Sequence, residues 1–156
     1  MAKKNLEKFK NKKILAIDFG TKITGLARFC EGRDVSPYPY DSLKYVNEDR
    51  LIADILNVVK ESSTDIAVLG VPKLLDGRET TMSKKIRDFG EKLETELGLI
   101  PLFIQDESLS TFEAEERMKN SPRYNFKVDK KQIDALAASI ILEDFLSSES
   151  QEAVRQ

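Results

Sequence analysis

Carboxylates stand beside apolar segments at three places in the chain, where they could do chemistry. Asp18 ends the first apolar run, and Asp106 and Glu107 directly follow a later one. Asp134 lies near the start of an apolar helical pattern. A buried carboxylate needs a cation, a proton or a metal beside it, because burying it unpaired costs several kcal/mol. If the fold brings these acids together, they form an all-oxygen pocket of the kind that holds Mg²⁺ or Mn²⁺.

The composition narrows the possible chemistry further. The chain of 156 residues has no histidine and only one cysteine, Cys30. This excludes an internal disulfide, a zinc site of the usual ligands and a catalytic triad that uses histidine. Any reaction must therefore rely on carboxylates, amines, hydroxyls or a bound metal.

Charge is distributed unevenly although the net charge is only −2. Residues 1–33 carry nine Lys or Arg against three acids, and Lys127, Lys130 and Lys131 form a second basic cluster just before Asp134. The first cluster could be a solvated tail or a binding arm. No secretory signal precedes residue 14 and no apolar stretch is long enough for a bilayer. We therefore expect a cytoplasmic protein with no membrane association.

The apolar spacing predicts one α/β domain over residues 13–147, between a basic extension at 1–12 and a polar tail at 148–156. Strands are predicted over residues 13–19, 22–30, 34–46, 65–71 and 99–105, and helices over residues 51–59, 82–97, 110–119 and 130–146. Three consecutive strands followed by strands alternating with helices predict a mixed sheet. The first three strands should be antiparallel and the last two parallel to the first, with helices on both faces.

In such a sheet the site forms outside the carboxyl ends of the parallel strands, where Asp18 and the acidic pair lie. Asp106 and Glu107 point to opposite faces if their strand persists, so only one of them should enter the pocket. Asp134 shares a helical face with Ala137 and Ala138 and should point toward the sheet. Each acid has a simpler alternative role, as a turn cap or as an acid at a helix start.

Small, hydroxyl and cationic residues around these positions could hold a phosphate. Glycine permits close backbone approach, and free amides at a helix start favour an anion. The candidates are Gly20, Thr21, Lys22, Lys73, Arg78, Ser110 and Thr111. Tyr38, Tyr40 and Tyr45 could stack on bases, or they could pack on the core from an edge strand.

Four motifs in this order resemble the YqgF/RuvX family of RNase H-like nucleases, which are related to the Holliday junction resolvase RuvC. The motifs are Ala16–Lys22, Gly70–Pro72 with Asp76 and Gly77, Asp106–Thr111, and Asp134–Ala138. The similarity extends over about residues 13–146.

The resemblance implies an RNase H-like fold, an α/β domain with a five-stranded mixed sheet. It also implies two-metal hydrolysis of phosphodiester bonds, with Asp18, Glu107 and Asp134 as catalytic metal ligands for Mg²⁺ or Mn²⁺. The implied role is maturation of the 5′ end of pre-16S ribosomal RNA, although some members are described as junction resolvases. Lys22, Lys73 and Arg78 would then hold the nucleic-acid backbone.

Alternatives remain open at this point. The motif at Asp18 also resembles the phosphate loop of actin-like and hexokinase-like ATPases, but those proteins need two such domains. A second alternative is a non-catalytic RNA- or protein-binding module of the same fold. The residues do not distinguish precursor ribosomal RNA from branched DNA, because metal ligands contact phosphates common to both. They equally leave a monomer or a homodimer open.

Overall fold

The computed structural model describes residues 7–72, 78–107 and 110–155, with backbone alone at residues 110–111 and 149–155. The strands are β1 (Lys13–Asp18), β2 (Ile23–Cys30), β3 (Tyr38–Lys44), β4 (Ile66–Pro72) and β5 (Leu102–Glu107). The α-helices are α1 (Glu48–Glu61), α2 (Thr81–Leu97), α3 (Ser110–Lys119) and α4 (Ile133–Arg155). Short 3₁₀ helices lie at Glu7–Phe9 and Pro122–Tyr124.

The five strands form one mixed sheet in the order β3-β2-β1-β4-β5. β1 and β2 are antiparallel, as are β2 and β3. β4 is parallel to β1, and β5 is parallel to β4. The predicted topology is confirmed, including the edge position of β3, where Pro39 is tolerated because an edge strand has a free hydrogen-bonding side.

Helices cover both faces of the sheet, as predicted. Leu15 and Ile17 of β1 belong to the core formed with α1 and α2, whereas Ile14 and Ala16 belong to the core formed with α4. Successive strand residues alternate between faces, so Asp18 continues the series of Ile14 and Ala16 and lies on the α4 face. Helix α3 packs on α4 rather than directly on the sheet core.

Local sequence explains where the helices on the first face begin. Asn47 caps α1, its side chain accepting a hydrogen bond from the Arg50 amide, as expected. Thr80 and Ser83 form a reciprocal capping box at the start of α2. The apolar spacing of Met82, Ile86, Phe89, Leu93 and Leu97 predicts one buried face of this helix, but the prediction is wrong for Met82, whose side chain is 42% exposed. Ser83 is buried there instead, because its hydroxyl serves the cap.

Other boundaries differ from the sequence prediction. β5 is shifted toward the carboxyl end and continues through Glu107. We expected the last helix to end near residue 146, but α4 begins at Ile133 and continues through Arg155. Residues 147–155 contain neither Gly nor Pro, the residues that most often stop a helix. The basic amino-terminal segment also contributes to the core, because Phe9 is buried against the ring of Phe145.

Helix α4 packs across the strands of the sheet, and two glycines let it come close. Gly25 of β2 lies against the backbone of Asp134 in the first turn of α4, and Gly70 of β4 lies against Ile141. A Cβ atom at Gly25 would overlap the carbonyl group of Asp134, whereas one at Gly70 would meet only the Ile141 side chain. The start of α4 therefore approaches the sheet through a position where only glycine fits.

We expect Gly25→Ala to destabilise the fold by about 1–3 kcal/mol, the usual cost of overpacking, because a backbone carbonyl cannot rotate away. Gly70→Ala is the matched control and should cost less, since the nearest atom is the terminal Cδ1 of Ile141, which can shift by rotation about χ2, whereas a backbone carbonyl cannot. Urea denaturation measures both free energies of unfolding from the shift in midpoint. A Gly25→Ala variant as stable as wild type would contradict the close approach of α4.

Candidate active site

Asp18 and Asp134 are brought together at the carboxyl end of β1. Asp18 is the last residue of β1 and pairs in register with Gly25 of β2. Because Gly25 lies against the backbone of Asp134, the first turn of α4 sits over this end of the sheet. Burial, together with the negative charge of Asp134, raises the pKa of Asp18 to about 7. The two carboxylates therefore share one electrostatic environment.

Glu107 lies on the same face of the sheet as Asp18. Phe103, four residues earlier on β5, contacts the ring of Phe145 of α4 with centroids 5.4 Å apart. Strand alternation places Glu107 on that face and Asp106 on the other. There the Arg87 guanidinium of α2 donates a hydrogen bond to the Asp106 carboxylate at 3.3 Å. Glu107 therefore lies on the α4 face with Asp18, and Asp106 lies on the α2 face.

The carboxyl group of Glu107 has a partner that the sequence did not indicate. The pKa of Glu107 is raised to about 9. The larger cause is burial, and the next is a hydrogen bond that Glu107 donates to the Asp144 carboxylate of α4. The negative charges of Glu113 and Asp18 contribute to this shift. Asp144 lies seven residues after Ala137, hence on nearly the same helical face. The other residues on this face of the helix are apolar. A carboxylate among them was the sequence feature that could have indicated Asp144 as a partner of Glu107.

The donor set fits a hard divalent cation. Asp18, Glu107 and Asp134 offer only oxygen ligands, and the pKa of Asp134 is also raised by burial. Carboxylates held near one another repel when ionised, and Mg²⁺ or Mn²⁺ would relieve that repulsion. Within the described residues, no three acidic or sulfur side chains are already arranged to hold a metal ion. Holding one therefore requires these side chains to rotate, and Glu107 to exchange Asp144 for the ion.

The sequence profile of the RuvX family, described as Holliday junction resolvase, matches residues 12–148. The chain belongs to the RuvX family. A protein of Maridesulfovibrio salexigens named "Putative pre-16S rRNA nuclease" is 34% identical over 135 residues, covering 86% of this chain and 98% of the relative. A Fusobacterium nucleatum protein with the same name is 35% identical over 136 residues, covering 86% of this chain and 96% of the relative.

Two solved structures share the fold of this chain. The Thermus thermophilus RuvC structure superposes with a TM-score of 0.56 at 13% identity, covering 88% of this chain and 97% of RuvC. The yeast mitochondrial Holliday junction resolvase Ydc2 superposes with a TM-score of 0.52 at 11% identity, covering 99% of this chain and 86% of Ydc2. At such low identity these similarities establish the RNase H-like fold alone.

The substrate-binding candidates of this RuvX family chain are described in part. Gly20, Thr21 and Lys22 form the turn after Asp18, where the Gly20 amide donates a hydrogen bond to the buried Thr24 hydroxyl at 3.4 Å. Thr21 and Lys22 are exposed there. The exposed Arg78 precedes α2.

The remaining candidates are described incompletely. The backbone of Ser110 and Thr111 forms the first two residues of α3, but their side chains are outside the described part of the structure. Lys73 lies wholly outside the described residues. Within the described residues, no helix combines the length and apolar character needed to cross a bilayer.

Proposed function

We propose that this chain is a divalent-metal-dependent nuclease that hydrolyses phosphodiester bonds in precursor 16S ribosomal RNA. The observation that carries the proposal is the delivery of Asp18, Glu107 and Asp134 to one face of the sheet by β1, β5 and α4. Membership of the RuvX family and the names of the relatives support the substrate class. Bacterial ribosomal RNA matures in the cytoplasm, so the proposed activity belongs to that compartment.

Each acidic side chain has a distinct task in this mechanism. Asp18 lies between the other two in the order of the sheet, and Asp18, Glu107 and Asp134 would together hold the metal. Bound Mg²⁺ or Mn²⁺ supplies activation of a water molecule and stabilisation of the leaving oxygen in an in-line displacement. Gly20 lets the turn close against the backbone carbonyl of Ile23, which a Cβ atom would overlap, and Lys22 would neutralise the charge of a phosphate beside the strand end.

Branched DNA is the second candidate substrate. The family description as Holliday junction resolvase and the shared fold with RuvC favour it. Metal-binding carboxylates contact the phosphodiester group, which RNA and DNA have in common, so the acids serve either substrate equally. The distinction must come from surfaces beyond the metal ligands, and therefore from experiment.

A cleavage assay tests the function with three substrates: precursor 16S ribosomal RNA, an unstructured single-stranded RNA and a four-way DNA junction. We expect wild type to cut the precursor in Mn²⁺ and not in chelator. Asp134→Asn should lose at least about tenfold in rate, since even residues that only support metal ligands cost 10–100-fold. Asp49→Asn, an exposed first-turn acid of α1, is the matched control and should cut like wild type.

Two outcomes of this assay contradict the proposal. Cleavage at an unchanged rate in chelator would show that the reaction does not need a divalent metal. Binding of the precursor without cleavage in either Mg²⁺ or Mn²⁺ would favour the non-catalytic module. Preferential cutting of the junction would instead assign the activity to branched DNA.

A further inference from the structure

An open pocket beside the candidate active site is not explained by the metal ligands. It has a volume of about 520 Å³ and lies where β2 begins and β3 ends. Its lining residues are Thr21, Lys22, Ile23, Ser42, Lys44 and Tyr45. The lining combines two ammonium groups and two aliphatic hydroxyls, which can bind the oxygen atoms of a phosphate, with apolar surface that includes Ile23.

The strand register places this pocket in line with Asp18. Asp18 pairs with Gly25 of β2, and Gly25 pairs with Ser42 of β3. Neighbouring strands lie about 4.8 Å apart, so the Ser42 backbone is roughly 10 Å from that of Asp18. Lys44 lies two residues beyond Ser42 and pairs with Ile23, so it shares the face of Ser42 and Asp18. The pocket therefore continues the metal-binding edge toward β3.

The charge around the pocket is positive. Lys22 and Lys44 are exposed, and no acidic side chain among the described residues forms an ion pair with either. Lys130 and Lys131 are exposed immediately before α4, whose first turn lies over β2. The acid on this stretch of β3, Asp41, is exposed, and its carboxylate accepts a hydrogen bond from the Ser42 amide.

The opposite flank of the site is acidic. Glu107 interacts there with Asp144 and with the charge of Glu113 from α3. Glu143 of α4 also lies on that side, paired with Arg117 at 2.8 Å. A polyanionic strand is attracted to the β2–β3 flank and repelled by the β5 flank. The charge asymmetry thus gives the substrate a preferred side from which to approach the metal ligands.

The floor of the pocket is rigid. The Tyr45 amide donates a hydrogen bond to the Lys22 carbonyl at 2.8 Å, which joins the beginning of β2 to the end of β3. The Tyr45 ring packs edge-on against Phe19, with centroids 6.1 Å apart, and Phe19 is itself buried in the core. The backbone positions of Lys22 and Lys44 are therefore held by the sheet, not by a mobile loop.

We propose that this pocket binds a backbone phosphate of the substrate strand flanking the bond to be cut, with Lys44 and Lys22 as its cationic contacts. The strand runs from the metal ligands across β2 toward β3. The inference rests on the proposed function for the identity of the substrate, but the binding surface can be tested without cleavage. Lys44 and Ser42 are the residues that it adds to those expected from the sequence.

The test measures binding of a fluorescently labelled single-stranded RNA in chelator, where metal-dependent cleavage does not occur. Lys44→Gln should weaken binding about fivefold and reduce the slope of log K against log salt by about 0.7, the value for one phosphate contact on a single strand. Lys60→Gln is the control, because Lys60 is an exposed lysine in the last turn of α1, on the other face of the sheet. Its affinity and slope should equal those of wild type.

The outcomes separate this inference from the nuclease proposal. If wild type binds RNA without cutting it in Mn²⁺ while Lys44→Gln binds the RNA more weakly, that pair of results would support the phosphate-binding pocket and rule out the nuclease activity. A Lys44→Gln variant with wild-type affinity and salt slope overturns the pocket, whether or not the protein cleaves. Displacement of the RNA by inorganic phosphate at equal phosphate concentration would also overturn it, because the site would then be a free-anion site and not a strand-binding one.

Discussion

Asp18→Asn is expected to abolish metal-dependent cleavage and to stabilise the metal-free protein above pH 7. The rate should fall by more than about 10²-fold, because removing residues that merely orient metal ligands already costs 10–100-fold. Asparagine keeps the size of the side chain and carries no charge, so the fold is retained. Cleavage rates in Mn²⁺ for wild type and Asp18→Asn measure the first effect.

The stability effect follows from the raised pKa of Asp18, which burial and the charge of Asp134 move from 3.8 to about 7. Between these values the folded protein keeps a proton that the unfolded chain releases, so the free energy of unfolding falls as pH rises through this window. Above pH 7 the folded state must hold an ionised Asp18 beside Asp134. The asparagine of the variant has no proton to lose, so this part of the pH dependence disappears.

Urea denaturation in chelator at pH 5, 6, 7 and 8 measures the stability effect. Wild type should lose stability across this range, and Asp18→Asn should lose distinctly less. Some dependence should remain in the variant, because the pKa of Glu107 is raised as well. A variant that is no more stable than wild type at pH 8, or that keeps the same pH profile, would contradict the burial of a charged Asp18 in this site.

The sheet order and the position of Asp18 could be predicted because both follow from local patterns. A short apolar run that ends in one carboxylate predicts a buried strand with an acid at its tip, and helical crossovers require later strands to be parallel. The face of Asp134 followed in the same way from the 3.6-residue period shared with Ala137 and Ala138. These inferences need no knowledge of distant contacts.

The details of the site depend on distant contacts and could not be predicted. Asp144 becomes a partner of Glu107 only because α4 packs across the sheet as far as β5, which no local spacing encodes. The close approach of α4 also needs Gly25, and no local pattern marks that residue as a helix contact. The boundary of β5 was also misplaced, because pairing with β4 extends the strand past its apolar residues as far as Glu107.

Glu107→Gln is expected to reduce metal-dependent cleavage at least about tenfold, whereas Asp106→Asn should leave it within about twofold of wild type. The two residues are neighbours in sequence but lie on opposite faces of β5. The glutamine amide of the first variant could still donate a hydrogen bond to Asp144, so the fold should survive while one metal ligand is lost. Initial cleavage rates over a range of Mn²⁺ concentrations should show that Glu107→Gln needs more metal for half-maximal activity.

Asp106→Asn is a stringent control because it removes a charge at the same end of the same strand. Its carboxylate pairs with Arg87, which also contacts Glu79 at 2.7 Å, and such exposed pairs contribute only about 0–1 kcal/mol. If cleavage depended only on the number of negative charges near the site, Glu107→Gln and Asp106→Asn would reduce the cleavage rate by the same factor. If only Glu107→Gln loses cleavage activity, the active site lies on the face of the sheet that Glu107 occupies. If only Asp106→Asn loses cleavage activity, the active site lies on the α2 face instead.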